Sequence, residues 1–409
     1  MKALRRLMRR VERRGVQLAR RPFKIFPPAR LRKMLEAPDA HLFVGYYDID
    51  PFFGENAVLA HVVTGEDGPA QVGLCDLTSG AFGALATTPC WSWQLGARLQ
   101  AFDGRNLIFN TMEGDAPVAR IVDGGGAQAG EMPFHIFAFD AARRRGATLD
   151  FGRLYRHRAG YGYKALAGRK GSGIEAVDRG IGIFDVEHRA FVSSVDTDAA
   201  WREATRCGAL SEAQADAARY LNHPLFSPGG ETLAFILVVD GESARRQSLV
   251  VADAATGAVR AAMPVKAFVS HFWWVRPGIL SAFVSDEAGE HRGRYMVWDV
   301  AAGTVSETGP AWPRVDGHQT NHPADGRWIT DTYPDRHGFQ YLYALDEGAR
   351  IPLGRFRSRL GMGADKCDLH PRRSADGSLV AIDTAYERHR RVAVIELDAG
   401  GGPMSRRRA

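Results

Sequence analysis

Apolar residues in this chain come in short runs, too brief and too often broken by turn residues to line the faces of long helices. The runs are rich in Val, Ile, Leu and Phe and are bounded by Gly, Pro, Asp or Ser, which is the pattern of strands joined by tight turns. Seven of them end in an acidic residue: Leu74-Cys75-Asp76, Phe137-Ala138-Phe139-Asp140, Ile183-Phe184-Asp185, Val250-Val251-Ala252-Asp253, Met296-Val297-Trp298-Asp299, Tyr343-Ala344-Leu345-Asp346 and Val394-Ile395-Glu396. The acids are spaced by 64, 45, 68, 46, 47 and 50 residues. A strand-rich repeat of that period is the signature of a β-propeller blade.

A second set of signals falls between the tags. Asn222-His223-Pro224 leads to a turn at Ser227-Pro228-Gly229-Gly230, His322-Pro323 leads to Asp325-Gly326, and His370-Pro371 leads to Asp376-Gly377. Gly and Asp-Gly supply the backbone conformation that a hairpin turn needs. Strands such as Thr232–Val239 and Leu379–Asp383 follow. The repeat predicts an all-β protein: a seven-bladed β-propeller over residues 37–400, of the WD40-like or TolB-like kind. Residues 1–36 read as a basic N-terminal arm, partly an amphipathic helix, and 401–409 as a disordered tail. Residues 197–221 are rich in helix formers and read as a helical insertion. There Ser211 and Gln214 form a capping box and Gly208 separates two short helices. The insertion either roofs part of the central funnel or decorates an inter-blade loop.

Composition refines this picture. The net charge is +6, but the first 33 residues hold 13 Lys and Arg against the single acid Glu12, so the rest of the chain is slightly acidic. The basic arm either meets an anionic membrane surface or a partner, or stays solvated. No nucleic-acid partner is expected. Arginines interrupt every hydrophobic run of the arm, so it does not read as a secretory signal. The four cysteines, Cys75, Cys90, Cys207 and Cys367, lie far apart with no C-x-x-C pair, as expected in a reducing compartment. The expected location is cytoplasmic, with membrane association through the arm.

Histidines carry the sharpest chemical signal. His223, His271, His318 and His370 recur at steps of 48, 47 and 52 residues, each just before or within a blade's first strand. Four imidazoles converging on the axis would hold a divalent metal, Mn or Zn, or a charged ligand. Cys367 adds a thiolate that favours Zn. The alternative is that each histidine only stabilises its own turn. A second cluster places Trp93, Gln94 and Arg98 in one segment and Arg153, Arg158, Tyr161 and Tyr163 in another. Arginines pair with carboxylates and aromatic rings stack on sugars, so these residues, with Tyr47 and Tyr333, are expected to bind an acidic oligosaccharide or polysaccharide; the alternative is a charged surface loop. The acids near blade starts are Asp48, Asp316 and Asp368. No nucleophile elbow, Walker A loop or dinucleotide fingerprint is present.

The segments Asn222-His223-Pro224, Ser270-His271-Phe272-Trp273, Asp316-Gly317-His318 and Cys367-Asp368-Leu369-His370-Pro371 resemble the blade starts of seven-bladed propeller polysaccharide lyases, the oligogalacturonate and ulvan lyases. The likeness is clearest over residues 220–397 and weaker over 41–165. It implies β-elimination on uronic-acid oligosaccharides. In the oligogalacturonate type a metal on histidines and a glutamine neutralises the carboxylate, which by position implies His271, His318 and His370, with His223 or Gln319. In the ulvan type arginine and histidine neutralise and tyrosine or histidine serves as acid and base, which makes Arg153, Arg158, Tyr161, Tyr163 and His223 the catalytic candidates. The alternative function is a non-catalytic propeller that binds glycan or protein partners in polysaccharide metabolism.

Overall fold

A computed structural model describes residues 12, 15, 16 and 21–397, except 213–215, 242–244, 287–290, 323–324, 347 and 359–365. Seven antiparallel sheets form the blades of a propeller. In chain order the innermost strands are His41–Phe43, Gln100–Ala101, Ala138–Phe139, Ala218–Phe226, Phe268–Arg276, Thr320–Asn321 and Arg372–Arg373. Each blade continues outward through three more strands. In blade four these are Thr232–Asp240, Arg245–Asp253 and Val259–Ala262. The central strands are apolar on both faces, as in the buried run Leu233–Val239 of blade four, because each blade is sandwiched between two neighbours. The core is therefore a set of inter-blade seams, such as Leu35, Leu42, Val58 and Ala60 packed on Ala381, Val392 and Val394 where blade one meets blade seven.

The acidic tags have a local physical cause. Asp76 accepts hydrogen bonds from the Thr78 and Ser79 amides, and Asp253 from the Ala255 and Thr256 amides. Each carboxylate caps the turn between the third and fourth strands, where short polar side chains replace missing backbone partners. Those bonds pull the Asp253 carboxyl down to about 2. Asp140 does the same for the amides of Arg144 and Arg145, but in the turn between the first and second strands of blade three. The tag Phe137–Asp140 therefore marks an inner strand, and the third strand of blade two is Ala116–Asp123. The first long step runs from Asp123 to Asp185, because residues 150–179 interrupt blade three with helices Phe151–His157 and Glu175–Asp178.

Two boundaries shift as well. The arm expected over 1–36 is shorter, since Phe23–Ile25 pairs with Ala349–Arg357 as a fifth strand of blade six. Ala29–Leu35 pairs with Arg391–Leu397 as the outermost strand of blade seven. The N-terminal segment thus closes the ring by completing its last blade, which leaves no unmatched seam between first and last blades. The helical insertion contains the helix Thr197–Arg206, capped by Asp196, but its far end is already the strand Ala218–Phe226. The second helix expected after Gly208 reaches into residues 213–215, and the amphipathic helix of the arm, apart from residues 12, 15 and 16, and the 401–409 tail likewise lie outside the described residues. No helix among the described residues is long and apolar enough to cross a membrane.

Closure by Ala29–Leu35 makes a clear prediction. A chain begun at residue 37 loses this strand and should unfold at markedly lower urea than the full chain, while a chain begun at residue 21 should not. Equal midpoints would show that the ring closes without it.

A second prediction concerns acid. His61 accepts the Ala97 amide on Nε2 at 2.9 Å, which requires a neutral ring. Burial, the leading cause, lowers its pKa to about 4, and burial does the same to His135. The unfolded chain takes up these protons first, so their contribution is complete above about pH 6.5 and falls away towards pH 4, on the order of 3 kcal/mol for each ring. Asp50, raised to about 6 chiefly by burial, acts in the opposite sense in the same window, so a comparison isolates the effect. His61→Gln keeps an acceptor without a titration and should flatten the fall in unfolding free energy over pH 6.5 to 4. Superimposable pH profiles would rule this account out.

Candidate functional site

The axis of the ring is occupied by a dipeptide from blade one. After His41–Phe43 the chain turns inward at Gly45, with φ 127°. A Cβ there would lie 3.1 Å from the Leu95 carbonyl oxygen. The amides of Val44 and Gly45 donate to the carboxylate of Asp383, on blade seven. Arg372 pairs with that carboxylate and donates to the carbonyls of Gly45 and Tyr46. This buried network holds Tyr46 and Tyr47 at the centre, with ring centroids 4.6 Å apart. Burial, ahead of neighbouring Tyr161 and Tyr47, keeps the Tyr46 phenol well above its usual pKa.

The four histidines meet around this pair. Tyr46 stacks on His223 at 4.5 Å and stands edge-on to His370 at 4.9 Å. His318 lies 4.0 Å from His271 and 4.3 Å from His370, centroid to centroid. Strand register breaks between Asn222 and Leu225, around His223, and between Val269 and Phe272, around His271. Such bulges re-aim side chains that a regular strand would bury between blades. His223 and His370 also sit at φ 52° and 46°, a strained conformation for residues other than glycine.

Hydrogen bonds fix which nitrogen faces the hole. The Nδ1 of His271 donates to Asp316 at 3.0 Å, that of His318 to Asp331 at 3.0 Å, and that of His370 to the Gly45 carbonyl at 2.9 Å. Backing by carboxylate or carbonyl is the arrangement that orients a metal-binding imidazole. The Nε2 atoms of His318 and His370 are buried without a partner. Ligand atoms of His318, His370 and Asp368 lie within 4.8 Å of one another. Two imidazole nitrogens and one carboxylate oxygen suit Zn or Mn. Burial, then the charge of His318, holds His370 well below the usual imidazole pKa, so its ring is neutral and able to ligate. Burial raises the Asp368 carboxyl, but Lys366 and His318 outweigh it and the net shift is downward; Lys366 Nζ lies 2.7 Å from Asp368 Oδ2.

Beside this centre is a cavity of about 140 Å³ lined by Tyr46, Tyr47, His223, His271, His291, Tyr333, Arg158 and Lys366, among others. The insertion 150–179 delivers Arg158, whose guanidinium lies over Tyr161 at 4.0 Å. Among the described residues it has no carboxylate partner. Lys366 lies over Tyr333 at 4.7 Å. The cavity therefore pairs two cations with aromatic walls.

Of the residues singled out in the sequence, the structure gathers Tyr47, Arg158, Tyr161, His223, His271, His318, Tyr333 and His370. It places the others elsewhere. Arg98 is fully buried and bidentate to Asp48. Gln94 donates to the Lys366 carbonyl, and Trp93 packs against Phe43, His41 and Arg390. Arg153 donates to the Arg219 carbonyl. Tyr163 stacks on Phe151 at 4.2 Å and bonds to Asn110. Cys367 stands outside the group of three, and burial pushes its thiol up to about 12, so it is no thiolate. Gln319 spends its amide on the His271 carbonyl. The sequence reading missed Lys366 and His291, and it noted Asp368 only as an acid at a blade start. The signal for Asp368 was its spacing from His370, which brings both onto one turn before the inner strand.

No protein family matches the chain, and no curated protein matches it in sequence. Solved structures do. An oligogalacturonate lyase from Vibrio parahaemolyticus superimposes with a TM-score of 0.55 at 11% identity, covering 92% of this chain and 97% of that one. An oligogalacturonate lyase in complex with manganese superimposes with a TM-score of 0.57 at 12% identity, covering 92% and 96%. The chain thus shares the seven-bladed fold of oligogalacturonate lyases, and at such identity the likeness carries the fold alone.

The donor set predicts metal binding. Mn or Zn at a hundredfold excess over its dissociation constant should raise the unfolding free energy by about 2.7 kcal/mol. Asp368→Asn and His370→Ala should abolish that shift in thermal melts, and Cys367→Ser should retain it. A wild-type melt indifferent to both metals would exclude the site.

Proposed function

We propose that the funnel binds the carboxylate of an acidic sugar and that the protein is a lyase acting on uronic-acid oligosaccharides. The observation that supports this reading is the partnerless Nε2 atoms of His318 and His370 facing Asp368, next to a cavity that holds Arg158 and Lys366. A metal on those three residues would neutralise a uronate carboxylate as a Lewis acid. Arg158 and Lys366 orient the same carboxylate with charged donors. His223, neutral because burial and then Arg158 depress its pKa, takes the C5 proton. The C–H electrons form the C4–C5 double bond, and the C4–O4 bond breaks with its pair passing to the departing oxygen. Tyr161, whose ring lies 5.4 Å from that of His223, returns a proton to that oxygen. So weak a base succeeds only when the carboxylate charge is offset, which is why cations and base share one cavity.

A second reading is a propeller that binds acidic glycan without turnover. His223 favours it, since burial and then the charge of Arg158 hold its ring well below the usual imidazole pKa and make it a poor base. The basic residues of the first 20 positions would add contact with an anionic membrane surface or partner under either reading.

Incubation with oligogalacturonates and other uronate oligomers, with Mn or Zn, separates the two. The lyase reading expects ultraviolet absorbance from an unsaturated product, reduced about a hundredfold in rate by Arg158→Ala and by His223→Ala. Binding of uronates in calorimetry with no absorbance change in any combination would select the second reading.

A further inference from the structure

A second cavity does not belong to the funnel. It has a volume of about 510 Å³ and lies between the loops of blades one and two and the insertion of blade three. The segment 158–162 separates the two spaces: Arg158 lines the funnel cavity, while Ala159 and Gly162 line this one. The wall is well fixed. The Gln94 amide donates to the Gly160 carbonyl at 3.0 Å, and the Ser92 hydroxyl to the Tyr161 carbonyl at 3.1 Å. Gly162 packs so closely that a Cβ would fall 1.9 Å from the Tyr155 nitrogen.

Its chemistry is the reverse of the funnel's. Trp91 and Trp93 line it and are themselves only 7% and 6% exposed, so they form a rigid aromatic floor. Tyr155 lines it as a half-buried ring, and among the described residues its hydroxyl has no protein partner. Glu66 and Asp67 stand at its edge. Lys164, the one cation lining it among the described residues, is paired with Asp67. Glu66 has no such partner among the described residues.

From this we infer that the cavity is a second carbohydrate site, for a neutral pyranose unit. An aromatic ring suits the apolar face of a pyranose, and the phenol and carboxylate suit its hydroxyls. The volume falls in the usual range of ligand pockets. Uncompensated acid at the edge repels a uronate, which the cationic funnel would accept. The inference does not require the funnel to be catalytic.

The test is a titration of tryptophan emission with maltotriose, cellotriose and mannotriose, in the presence of chelator so that a metal in the funnel plays no part. The expected result is a saturable change with at least one of the three. Tyr155→Ala should weaken it about tenfold and Glu66→Gln by a similar factor, in proteins whose melts match wild type. Arg158→Ala, on the other side of the wall, should leave it unchanged. No response to any of the three sugars, a response indifferent to both cavity variants, or one abolished by Arg158→Ala would overturn the inference. Lyase activity is not the readout, so failure here and failure of the lyase reading are distinguishable.

Discussion

One buried carboxylate holds the two ends of the ring together and sets the site. Asp383, on blade seven, accepts the amides of Val44 and Gly45 from blade one and pairs with Arg372, all with almost no exposure. A buried ion pair of this kind adds little stability over an apolar substitute, but removing one partner leaves a costly unpaired charge. Its value here is positional. The same guanidinium and the same Gly45 carbonyl anchor Tyr46 and orient His370. Ring closure and the orientation of a candidate metal ligand therefore rest on one set of bonds.

The funnel follows the same economy of shared groups. Asp331 orients the His318 ring and also accepts the His370 amide, so two neighbouring blades are coupled through one carboxylate. Lys366 offers its ammonium to Asp368 and its carbonyl to Gln94 and Arg390. Such connected polar groups are costly if half-satisfied. Among the buried polar atoms left without a partner, His318 Nε2, His370 Nε2 and His223 Nδ1 belong to rings that meet around Tyr46.

Much of the fold was legible because its signals are local. Six of the seven acidic tags mark third strands, and the carboxylates of Asp76, Asp185, Asp253 and Asp299 each accept an amide two or three residues on, which caps the turn whatever surrounds it. Asp140 misled because it too caps a turn, through the amides of Arg144 and Arg145, but the turn between first and second strands. The four histidines were legible through their period, which reports blade geometry directly. Arg153, Tyr163, Gln94 and Arg98 looked like ligand groups by residue type alone. Burial decides their roles, and burial is not local: Arg98 is matched by Asp48, fifty positions earlier. The strand nature of 29–35 was hidden beneath its basic residues, because its partner is at the opposite end of the chain.

By itself the sequence determined the repeat, its sevenfold count and the positions of four imidazoles, because period, turn chemistry and apolar runs act over a few residues. Tertiary structure alone decided how the ring closes, which nitrogen of each histidine turns inward, that Asp368 and not Cys367 completes the group of three, and that Arg158 reaches the cavity. Each of these depends on residues from separate segments being brought together, from 13 positions apart for His318 and Asp331 to 325 for His370 and Gly45, and no local pattern encodes that meeting.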